Sequence, residues 1–236
     1  MIPKTIHYCW FGGKPKPKTV QRCIDSWKKY CPDYEIKEWN EQNFDVNRIS
    51  YTRDAYQAGK YAFVSDVARF WALYYEGGVY FDTDVEVIRS IDTLIERGPF
   101  MGWERADALG NIHLAPGLGL AAPKGFPLYQ EILDGFAKLS YYLEDGERNP
   151  YSMIPFVTDL LKGKGMQIDG SLQIVDGLTI YPADYLCPMD SLTGKIIKTE
   201  NTYTIHHYSM SWLPKQTQWR IKMMRKIRKW LSLFVF

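Results

Sequence analysis

The sequence predicts an α/β fold in which helices pack on a mainly parallel sheet, and two observations support this prediction. First, a strand, a helix and a second strand follow one another within residues 4–39, as in a βαβ unit. Second, strand-like and helical stretches continue along the 236 residues without an internal repeat or a low-complexity block. A chain of this length can bury one sizeable core, so we expect one domain.

The first three elements have clear local signals. KTIHYCWF, at residues 4–11, is rich in β-branched and aromatic residues and ends at the turn-rich GGKPKPK, so it predicts a strand. A helix is predicted over residues 19–29, because apolar residues recur there every three or four positions, and Pro32 ends it. YEIKEW, at residues 34–39, alternates apolar and polar residues and predicts the second strand.

A longer helix is predicted over residues 62–75, with Ser65 and Asp66 near its first turn and Gly77 after its last. VYFDTDVEV, at residues 79–87, then predicts a single strand. Further helices are predicted at residues 127–143 and 155–161. Further strands are predicted at FMGWE, GLGLAAP, LQIVDG, LTIYPADYL and TYTIHHY.

The charge of the chain is uneven, which sets its last residues apart. Of 29 Lys and Arg, seven lie in residues 215–236, where there is no acid; residues 1–214 therefore carry 22 basic and 27 acidic residues, a net −5. We therefore predict a domain over residues 1–214 and a basic amphipathic helix over residues 215–236. Its apolar residues fall at helical spacing opposite the charges, a pattern typical of a helix on an anionic membrane surface.

The alternative for this segment is a C-terminal helix docked on its own domain. Nucleic acid is not an expected partner, because the acidic remainder of the chain would repel phosphates. The N-terminus lacks a signal-peptide pattern, no run of eighteen apolar residues occurs, and the four cysteines form no paired motif. We therefore expect a cytoplasmic protein that is peripheral at the inner face of the plasma membrane.

Two aspartates follow the apolar run VYF within the strand predicted at residues 79–87. On a strand, Asp82 and Asp84 would face the same side, at the carboxyl end where α/β sheets hold ligands. Two carboxylates form a hard oxygen site that suits Mg²⁺ or Mn²⁺ with phosphate oxygens completing the shell. Upstream, Asp66 and Arg69 share one helix face and offer an acceptor and a donor for sugar hydroxyls.

Taken together, these motifs resemble the DXD-containing sugar transferases of glycosyltransferase family 32. The resemblance rests on IPKTIHYCWFGG at the start, SDVARFWALYYEGGVYFDTDVEV in the middle and IHHYSMSW near the end. This family is similar to the glucosylating domains of large bacterial toxins and to fungal Golgi mannosyltransferases. The resemblance implies a GT-A-type, Rossmann-like nucleotide-sugar-binding domain, and it becomes weaker in the middle of the chain, where NPYSMIP replaces a threonine- and glycine-containing loop.

The resemblance also implies roles for individual residues. Trp10 would stack on the nucleotide base, Asp66 and Arg69 would grip the donor sugar, and Tyr80 would lie beside the ribose. Asp82 would contact ribose and sugar hydroxyls, and Asp84 would bind the metal.

Near the C-terminus, the resemblance implies that His207 completes the metal shell. His206 and His207 would point to opposite faces of a strand, so at most one of them can face the metal. Ser211 and Trp212 would belong to a loop closing over the diphosphate, and Gly117 would allow close approach to the donor. Imidazole favours Mn²⁺ over Mg²⁺ as the cofactor. Asp82, Asp84 and Arg69 are the predicted catalytic residues.

The predicted function is metal-dependent transfer of a hexose from a nucleotide sugar, with UDP as the expected nucleotide. The expected acceptor is a sugar hydroxyl of a lipid-linked saccharide in bacterial capsule or exopolysaccharide synthesis. The resemblance implies retention of anomeric configuration, in which the departing phosphate takes the acceptor's proton. An inverting reaction would instead need a carboxylate base, for which Glu104 and Asp107 are the candidates.

Two other functions compete with this one. A Mg²⁺-dependent phosphohydrolase of the haloacid dehalogenase type also uses a DxD after an apolar strand, although there it follows the first strand of the domain. A non-catalytic sugar-binding protein would keep its sugar affinity after Asp84→Ala, whereas a transferase would lose metal-dependent turnover.

Overall fold

The structure is a computed structural model that describes residues 1–107, 109–209 and 215–231. Within these ranges the helices are α1 (Lys18–Tyr30), α2 (Ser50–Gln57), α3 (Tyr61–Glu76), α4 (Asp92–Glu96), α5 (Pro127–Phe136), α6 (Met153–Gly163), α7 (Ala183–Leu186) and α8 (Lys215–Leu231). The strands are β1 (Thr5–Cys9), β2 (Glu35–Trp39), β3 (Gly78–Tyr80), β4 (Val85–Val87), β5 (Phe100–Gly102), β6 (Leu120–Ala122), β7 (Gln173–Val175), β8 (Leu178–Tyr181) and β9 (Thr204–His206).

A seven-stranded sheet with the order β2-β1-β3-β6-β5-β8-β7 forms the centre of the protein. β1 is parallel to β2 and β3, β5 is parallel to β8, and β6 and β7 are antiparallel to their neighbours. Five of the seven strands therefore run in one direction, and two run against them. The predicted α/β class with a mixed, mainly parallel sheet is confirmed.

Helices cover the sheet because each presents an apolar stripe. α1 buries Val20, Cys23, Ile24 and Trp27, the residues whose helical spacing predicts the helix. The Trp27 ring is fully buried, and its indole Nε1 donates a hydrogen bond to the Val85 carbonyl at 2.8 Å. Replacing such a buried tryptophan with alanine costs about 3–5 kcal/mol, so this contact ties α1 firmly to β4.

The two glycines after α3 allow the chain to turn back into the sheet. Gly78 has φ +113°, and a Cβ there would lie 2.6 Å from the Thr5 carbonyl oxygen. His7 holds this turn: Trp39 Nε1 donates to His7 Nδ1 at 3.0 Å, so Nε2 carries the proton and donates to the Gly77 carbonyl at 2.8 Å. Burial lowers the pKa of His7, which keeps the imidazole neutral in this position.

The prediction of one continuous strand over residues 79–87 is wrong. β3 ends at Tyr80, and β4 begins at Val85 in a separate two-stranded sheet with β9. A turn joins them, in which the Val85 amide donates to the Asp82 carbonyl at 3.0 Å. Aspartate is depleted in strands and its carboxylate competes for nearby donors, so the two aspartates occupy the crossing between the sheets.

Other elements differ from the predictions in length more than in position. The predicted helix over residues 127–143 ends at Phe136, and the one predicted over 155–161 extends to Met153–Gly163. The helices α2, α4 and α7 are additional to the predicted ones. In the described part of the chain, no helix has both the length and the apolar character needed to cross a bilayer.

Candidate active site at the edge of the sheet

One edge of the large sheet gathers the predicted site residues, and strand direction explains why. The parallel strands β1, β3, β5 and β8 all have their carboxyl ends at this edge, and the antiparallel β6 begins there. Trp10, Asp82 and Glu104 follow β1, β3 and β5, and Gly117 precedes β6. The site therefore lies where open α/β sheets hold ligands.

Arg69, on α3, is the centre of one part of this site. Its Nη2 lies 3.2 Å from Asp66 Oδ1 and 3.2 Å from Asp82 Oδ1, and its Nε donates to the Ser65 carbonyl at 3.1 Å. Tyr80 donates its hydroxyl proton to Asp82 Oδ1 at 2.9 Å. Arg69 is 3% exposed, and its Nη1 has no hydrogen-bond partner among the described residues. A buried guanidinium nitrogen without a partner is a donor ready for a ligand oxygen.

The charges in this cluster are balanced closely. Burial raises the pKa of Asp66 to about 7, although the neighbouring Arg69 opposes that increase. Burial also raises the pKa of Asp82, with Arg69 again opposing it and the Asp84 charge adding to it. A single guanidinium therefore stabilises two partly buried carboxylates, and its loss would leave Asp66 without a described cation and Asp82 with only the charge of His206.

Gly117 allows the start of β6 to approach this cluster. Its carbonyl accepts a hydrogen bond from the Asp82 amide at 3.2 Å. A Cβ at this position would lie 2.1 Å from Asp82 Oδ2 and 3.2 Å from Arg69 Nη1. Only glycine leaves space beside Asp82 without moving its carboxylate.

Asp84 is held by residues from the far end of the chain. His206 Nε2 lies 3.1 Å from Asp84 Oδ1, and the Ser209 amide donates to Asp84 Oδ2 at 2.7 Å. Burial alone would raise the pKa of Asp84, but the His206 charge and the Ser209 hydrogen bonds outweigh it and keep that pKa below its usual range. Burial opposes the charge on His206, while Asp84 raises the pKa of His206 well above its ordinary value.

These groups have the composition and spacing of a divalent-cation site. Asp82, Asp84 and His206 each offer a ligand atom, and these atoms all lie within 4.8 Å of one another. Two carboxylates and one imidazole fit Mn²⁺ well and Mg²⁺ less well. The donor set therefore suits the cation expected from the sequence.

The histidine at this position is His206, which corrects the prediction of His207. Strand β9 pairs with β4 so that His206 lies opposite Val85, next to Asp84 in the chain. His207 points away, and its Nε2 lies 2.8 Å from Glu86 Oε2. The two histidines do face opposite sides, as expected, but the side that meets the aspartates depends on the pairing of two strands far apart in sequence.

The remaining predicted residues are placed as follows. Trp10 is half-buried at the end of β1, where its Nε1 donates to the Lys14 carbonyl at 2.6 Å. Ser211 and Trp212 lie outside the described residues. Asp107 is partly exposed and accepts hydrogen bonds from the amides of two following residues, Leu109 and Asn111, in a local turn.

Glu104 lies in a cavity at the same edge of the sheet. The cavity has a volume of about 300 Å³ and is also lined by Trp103, Ile112, Asp169 and Ala183. Burial raises the pKa of Glu104, and the charge of His206 opposes this increase. Glu104 is therefore close enough to sense the Asp84–His206 pair, whereas Asp107 is held in a solvent-exposed turn.

Comparisons with known proteins agree with this geometry. The family described as "Glycosyltransferase sugar-binding region containing DXD motif" matches residues 17–101. An inositol phosphoceramide mannosyltransferase 3 from Schizosaccharomyces pombe is 28% identical over 147 residues, which cover 59% of this chain and 38% of that protein. A protein named Toxin from Photorhabdus asymbiotica is 28% identical over 184 residues, 63% of this chain and 6% of its own length. The chain thus spans less than half the length of either relative.

A solved structure shares the fold across nearly the whole chain. The glycosyltransferase involved in the glycosylation of the major capsid of PBCV-1 superposes with a TM-score of 0.51 at 10% identity, covering 93% of this chain and all of that one (100%). The predicted GT-A-type α/β fold is confirmed. The matched residues 17–101 include the Asp66–Arg69 pair and both aspartates of the DxD turn, so the similarity to glycosyltransferase sugar-binding regions with a DXD motif covers the Arg69 cluster and the DxD turn of this chain.

Proposed function

We propose that the protein is a metal-dependent glycosyltransferase that moves a hexose from a nucleotide sugar, with UDP as the nucleotide, to a sugar hydroxyl. The main observation behind the proposal is that the Arg69 cluster and the candidate cation site lie next to each other at the carboxyl ends of the parallel strands. Arg69 joins Asp66 to Asp82, and Asp82 in turn lies within ligand distance of Asp84 and His206. The chain spans less than half the length of the two relatives, so the activity of the whole protein is also part of this proposal.

Asp84 and His206, with Asp82 beside them, are the residues proposed to hold Mn²⁺ or Mg²⁺. When bound, such a cation stabilises the negative charge that develops on a departing nucleoside diphosphate. The protein's part is to hold Asp84 ionised and oriented, which the Ser209 amide and His206 favour.

The Arg69 cluster is proposed to bind the donor sugar. Arg69 Nη1 is a buried donor without a described partner, and Asp66 and Asp82 are acceptors fixed by the same guanidinium. Such fixed, opposed donors and acceptors orient sugar hydroxyls at little entropic cost when the ligand binds. Tyr80 and Asp82 are proposed to contact the ribose, and Trp10 the base.

The cavity beside Glu104 is proposed to admit the acceptor. It lies over β5 and β8, on the opposite side of β6 from the DxD turn, so donor and acceptor would meet across Gly117. We propose retention of configuration, with the departing phosphate oxygen taking the acceptor's proton, and Glu104 as the base only if inversion is found.

The acceptor is proposed to be a lipid-linked saccharide of capsule or exopolysaccharide synthesis. Support comes from the basic residues of α8, which favour an anionic surface at the cytoplasmic leaflet. We also propose that the chain divides into a domain over residues 1–214 and a basic helix over residues 215–236. The proposed enzyme is cytoplasmic and peripheral to the membrane.

The test is a screen of UDP- and GDP-sugars in Mn²⁺, read by slow sugar release and by thermal stabilisation. We expect one nucleotide sugar to stabilise the protein and to be hydrolysed slowly, with Mn²⁺ required for turnover. No response to any nucleotide sugar would contradict the proposal. Phosphate release from generic phosphoesters would instead favour the phosphohydrolase, and binding without turnover would favour a sugar-binding protein.

A further inference from the structure

The central sheet has two outer strands, β2 and β7, and their free edges differ in charge. β2 carries Glu35, Lys37 and Glu38. β7, at the other end of the sheet, is the uncharged strand Gln173–Val175. Charged side chains on an outer strand oppose its pairing with a strand of another molecule. β2 has this protection, and β7 lacks it.

β7 exposes the backbone of one residue, Ile174, to the outside of the sheet. The hairpin that joins β7 to β8 turns at Asp176 and Gly177, and Ile174 lies opposite Thr179. The Thr179 amide donates to the Pro99 carbonyl at 2.9 Å, on the side of β8 that faces β5. Ile174 and Thr179 are therefore a pair without hydrogen bonds between them, so the amide and carbonyl of Ile174 point away from β8. Among the described residues, neither group has a backbone partner.

The side chains at this edge are apolar and exposed. Ile174 is 76% exposed, and Leu172, just before the strand, is 55% exposed. Side chains alternate along an extended chain, so these two lie on one face and the buried Val175 lies on the other. Ile168, in the loop before β7, is exposed as well. Large aliphatic side chains grouped in this way are typical of a contact surface.

The segment is held in place, and its acids already have partners. Gln173 Oε1 accepts a hydrogen bond from the Gln167 amide at 2.9 Å. Gln173 Nε2 donates to the Gln167 carbonyl at 2.8 Å and to Asp169 Oδ1 at 2.9 Å. Asp176 Oδ2 lies 2.8 Å from Lys164 Nζ. A strand that paired with this edge would therefore neither have to order a loose loop nor bury a carboxylate without a partner.

We propose that the β7 edge is a contact between two copies of this chain, in which the two β7 strands pair antiparallel about a two-fold axis at Ile174. On this axis the Ile174 amide of each copy donates to the Ile174 carbonyl of the other, so the edge is complementary to itself. Leu172 and Ile174 of both copies then share one face, and four aliphatic side chains leave water together. A foreign peptide would find only one outward residue here, whereas a second copy supplies both the hydrogen bonds and the apolar partners.

The contact is small, so we expect a weak and reversible dimer. A strand of three residues offers less surface than the roughly 800 Å² per partner of a stable interface. We therefore expect a dissociation constant of about 10–100 µM. Asp169 and Gly170, which lie between Ile168 and Leu172, also line the cavity beside Glu104, so the second copy would lie near the rim of that cavity. The inference does not depend on the proposed function, because no ligand takes part in it.

Sedimentation velocity of the full chain, over about 5–500 µM, measures the association. We expect Ile174→Lys to raise the dissociation constant at least tenfold, since the new charge would be buried against its own copy at the axis. Ile197→Lys is the matched control, because Ile197 is also an exposed isoleucine but lies outside β7 and its preceding loop. It should stay within about twofold of the unaltered protein. Thermal denaturation checks that both variants fold.

Cysteine cross-linking tests where the axis lies. A residue on a two-fold axis meets its own copy, so Ile174→Cys should form a disulfide-linked dimer on mild oxidation, with Cα atoms about 5.5 Å apart. Leu172→Cys belongs to the same patch, but its two copies would lie about 13 Å apart along the strands. We expect it to cross-link at least tenfold more slowly. The four native cysteines are buried and do not compete.

Protein that stays monomeric at the highest concentration would overturn the proposal and leave this edge to a different partner. A dimer that Ile174→Lys and Ile197→Lys weaken equally would also overturn it, because association would then use another surface. Cross-linking through Leu172→Cys that is as fast as through Ile174→Cys would exclude the two-fold axis at Ile174.

Discussion

The two sides of the candidate site are built in different ways. On one side, Asp66, Arg69, Tyr80 and Asp82 come from a short stretch of chain and are already joined to one another. On the other side, Asp84 meets His206 across the pairing of β4 with β9, and the cations Arg22, Lys222 and Arg225 line the neighbouring cavity. The first side pairs its charges internally and keeps one free donor, Arg69 Nη1. The second side carries more positive than negative groups and suits an anion.

The two sides also differ in how far the match to the family model covers them. The family match at residues 17–101 covers the Arg69 side and the aspartates, but it does not reach β9 or α8. The segment that matches the family model is thus the part proposed to grip the sugar. His206 and Arg225 lie outside that segment, at the end of β9 and on α8. The predictions below test whether the two sides are as different as their contacts indicate.

The first prediction tests whether Arg69 is the cation that stabilises Asp66 and Asp82 on the first side of the site. Arg69→Met leaves the mostly buried Asp66 without a described cation and Asp82 with only the charge of His206, so we expect a loss of about 3–5 kcal/mol in the free energy of unfolding. Urea denaturation measures this loss. Arg53→Met is the matched control, since Arg53 is 47% exposed and should change stability by less than about 0.5 kcal/mol. Equal effects of the two variants would refute the prediction.

On the second side, Asp84 should matter for turnover more than for folding. Asp84→Ala removes the carboxylate that both His206 and the Ser209 amide contact. We expect Mn²⁺-dependent release of sugar from the nucleotide donor to fall about 10²–10³-fold, the usual cost of losing one stabiliser of developing charge. Asp33→Ala, an exposed aspartate far from these contacts, serves as the control. Unchanged turnover in Asp84→Ala would remove Asp84 from the site.

Gly117 sharpens the comparison because a side chain there would meet Asp82, which pairs with Arg69 and also lies in the candidate cation site. In Gly117→Ala the new Cβ would lie 2.1 Å from Asp82 Oδ2, so the carboxylate must move. We expect affinity for the nucleotide sugar to fall about tenfold, as for a displaced charged hydrogen bond, and affinity for inorganic pyrophosphate to fall less. Calorimetry measures both. Gly163→Ala, where no atom lies within 4 Å of the new Cβ, should leave both affinities as they are.

A further prediction is a pH dependence of stability that belongs to Asp66. Burial raises its pKa from 3.8 to about 7, with Arg69 opposing this and Asp82 adding to it. Between these values the folded state holds a proton that the unfolded state has released, so ionising Asp66 costs stability as the pH rises. Asp66→Asn should therefore become more stable relative to the unaltered protein from about pH 4 to pH 7, and no further above it.

Denaturant midpoints at several pH values measure this difference, and Asp33→Asn should show none. A constant difference between Asp66→Asn and the unaltered protein across this range would mean that Arg69 keeps Asp66 ionised throughout.

The sequence predicted the elements that local patterns determine. α1 follows from apolar residues at helical spacing, and β1, β2 and the order of strands and helices follow from similar patterns. α2 escaped prediction because SYTRDAYQ is mostly polar and buries only Tyr51, Thr52 and Ala55. Such a helix is stabilised by tertiary packing, which its own residues do not reveal.

The details of the site depended on contacts that sequence spacing does not contain. VYF and VEV have the same strand character, so the only local mark of the turn between β3 and β4 is the pair of aspartates, which are depleted in strands. The choice between His206 and His207 depends on which residue of β9 lies opposite Val85. The basic residues of α8 were visible as a charged helix, but their approach to Arg22 and Asp84 comes only from three-dimensional packing.

The pairing of β4 with β9 has a consequence for how the protein matures on the ribosome. Glu86 and His207, whose side chains meet beside this pairing, are 121 residues apart in the chain, so the small sheet cannot form until the ribosome has made the chain as far as β9. Closing so long a loop is slow relative to local contacts, and we expect β4 and β9 to gain protection from hydrogen exchange after α1, β1 and α3. A chain that stops before β9 would lack His206, one of the residues proposed to hold the cation, and would remain inert.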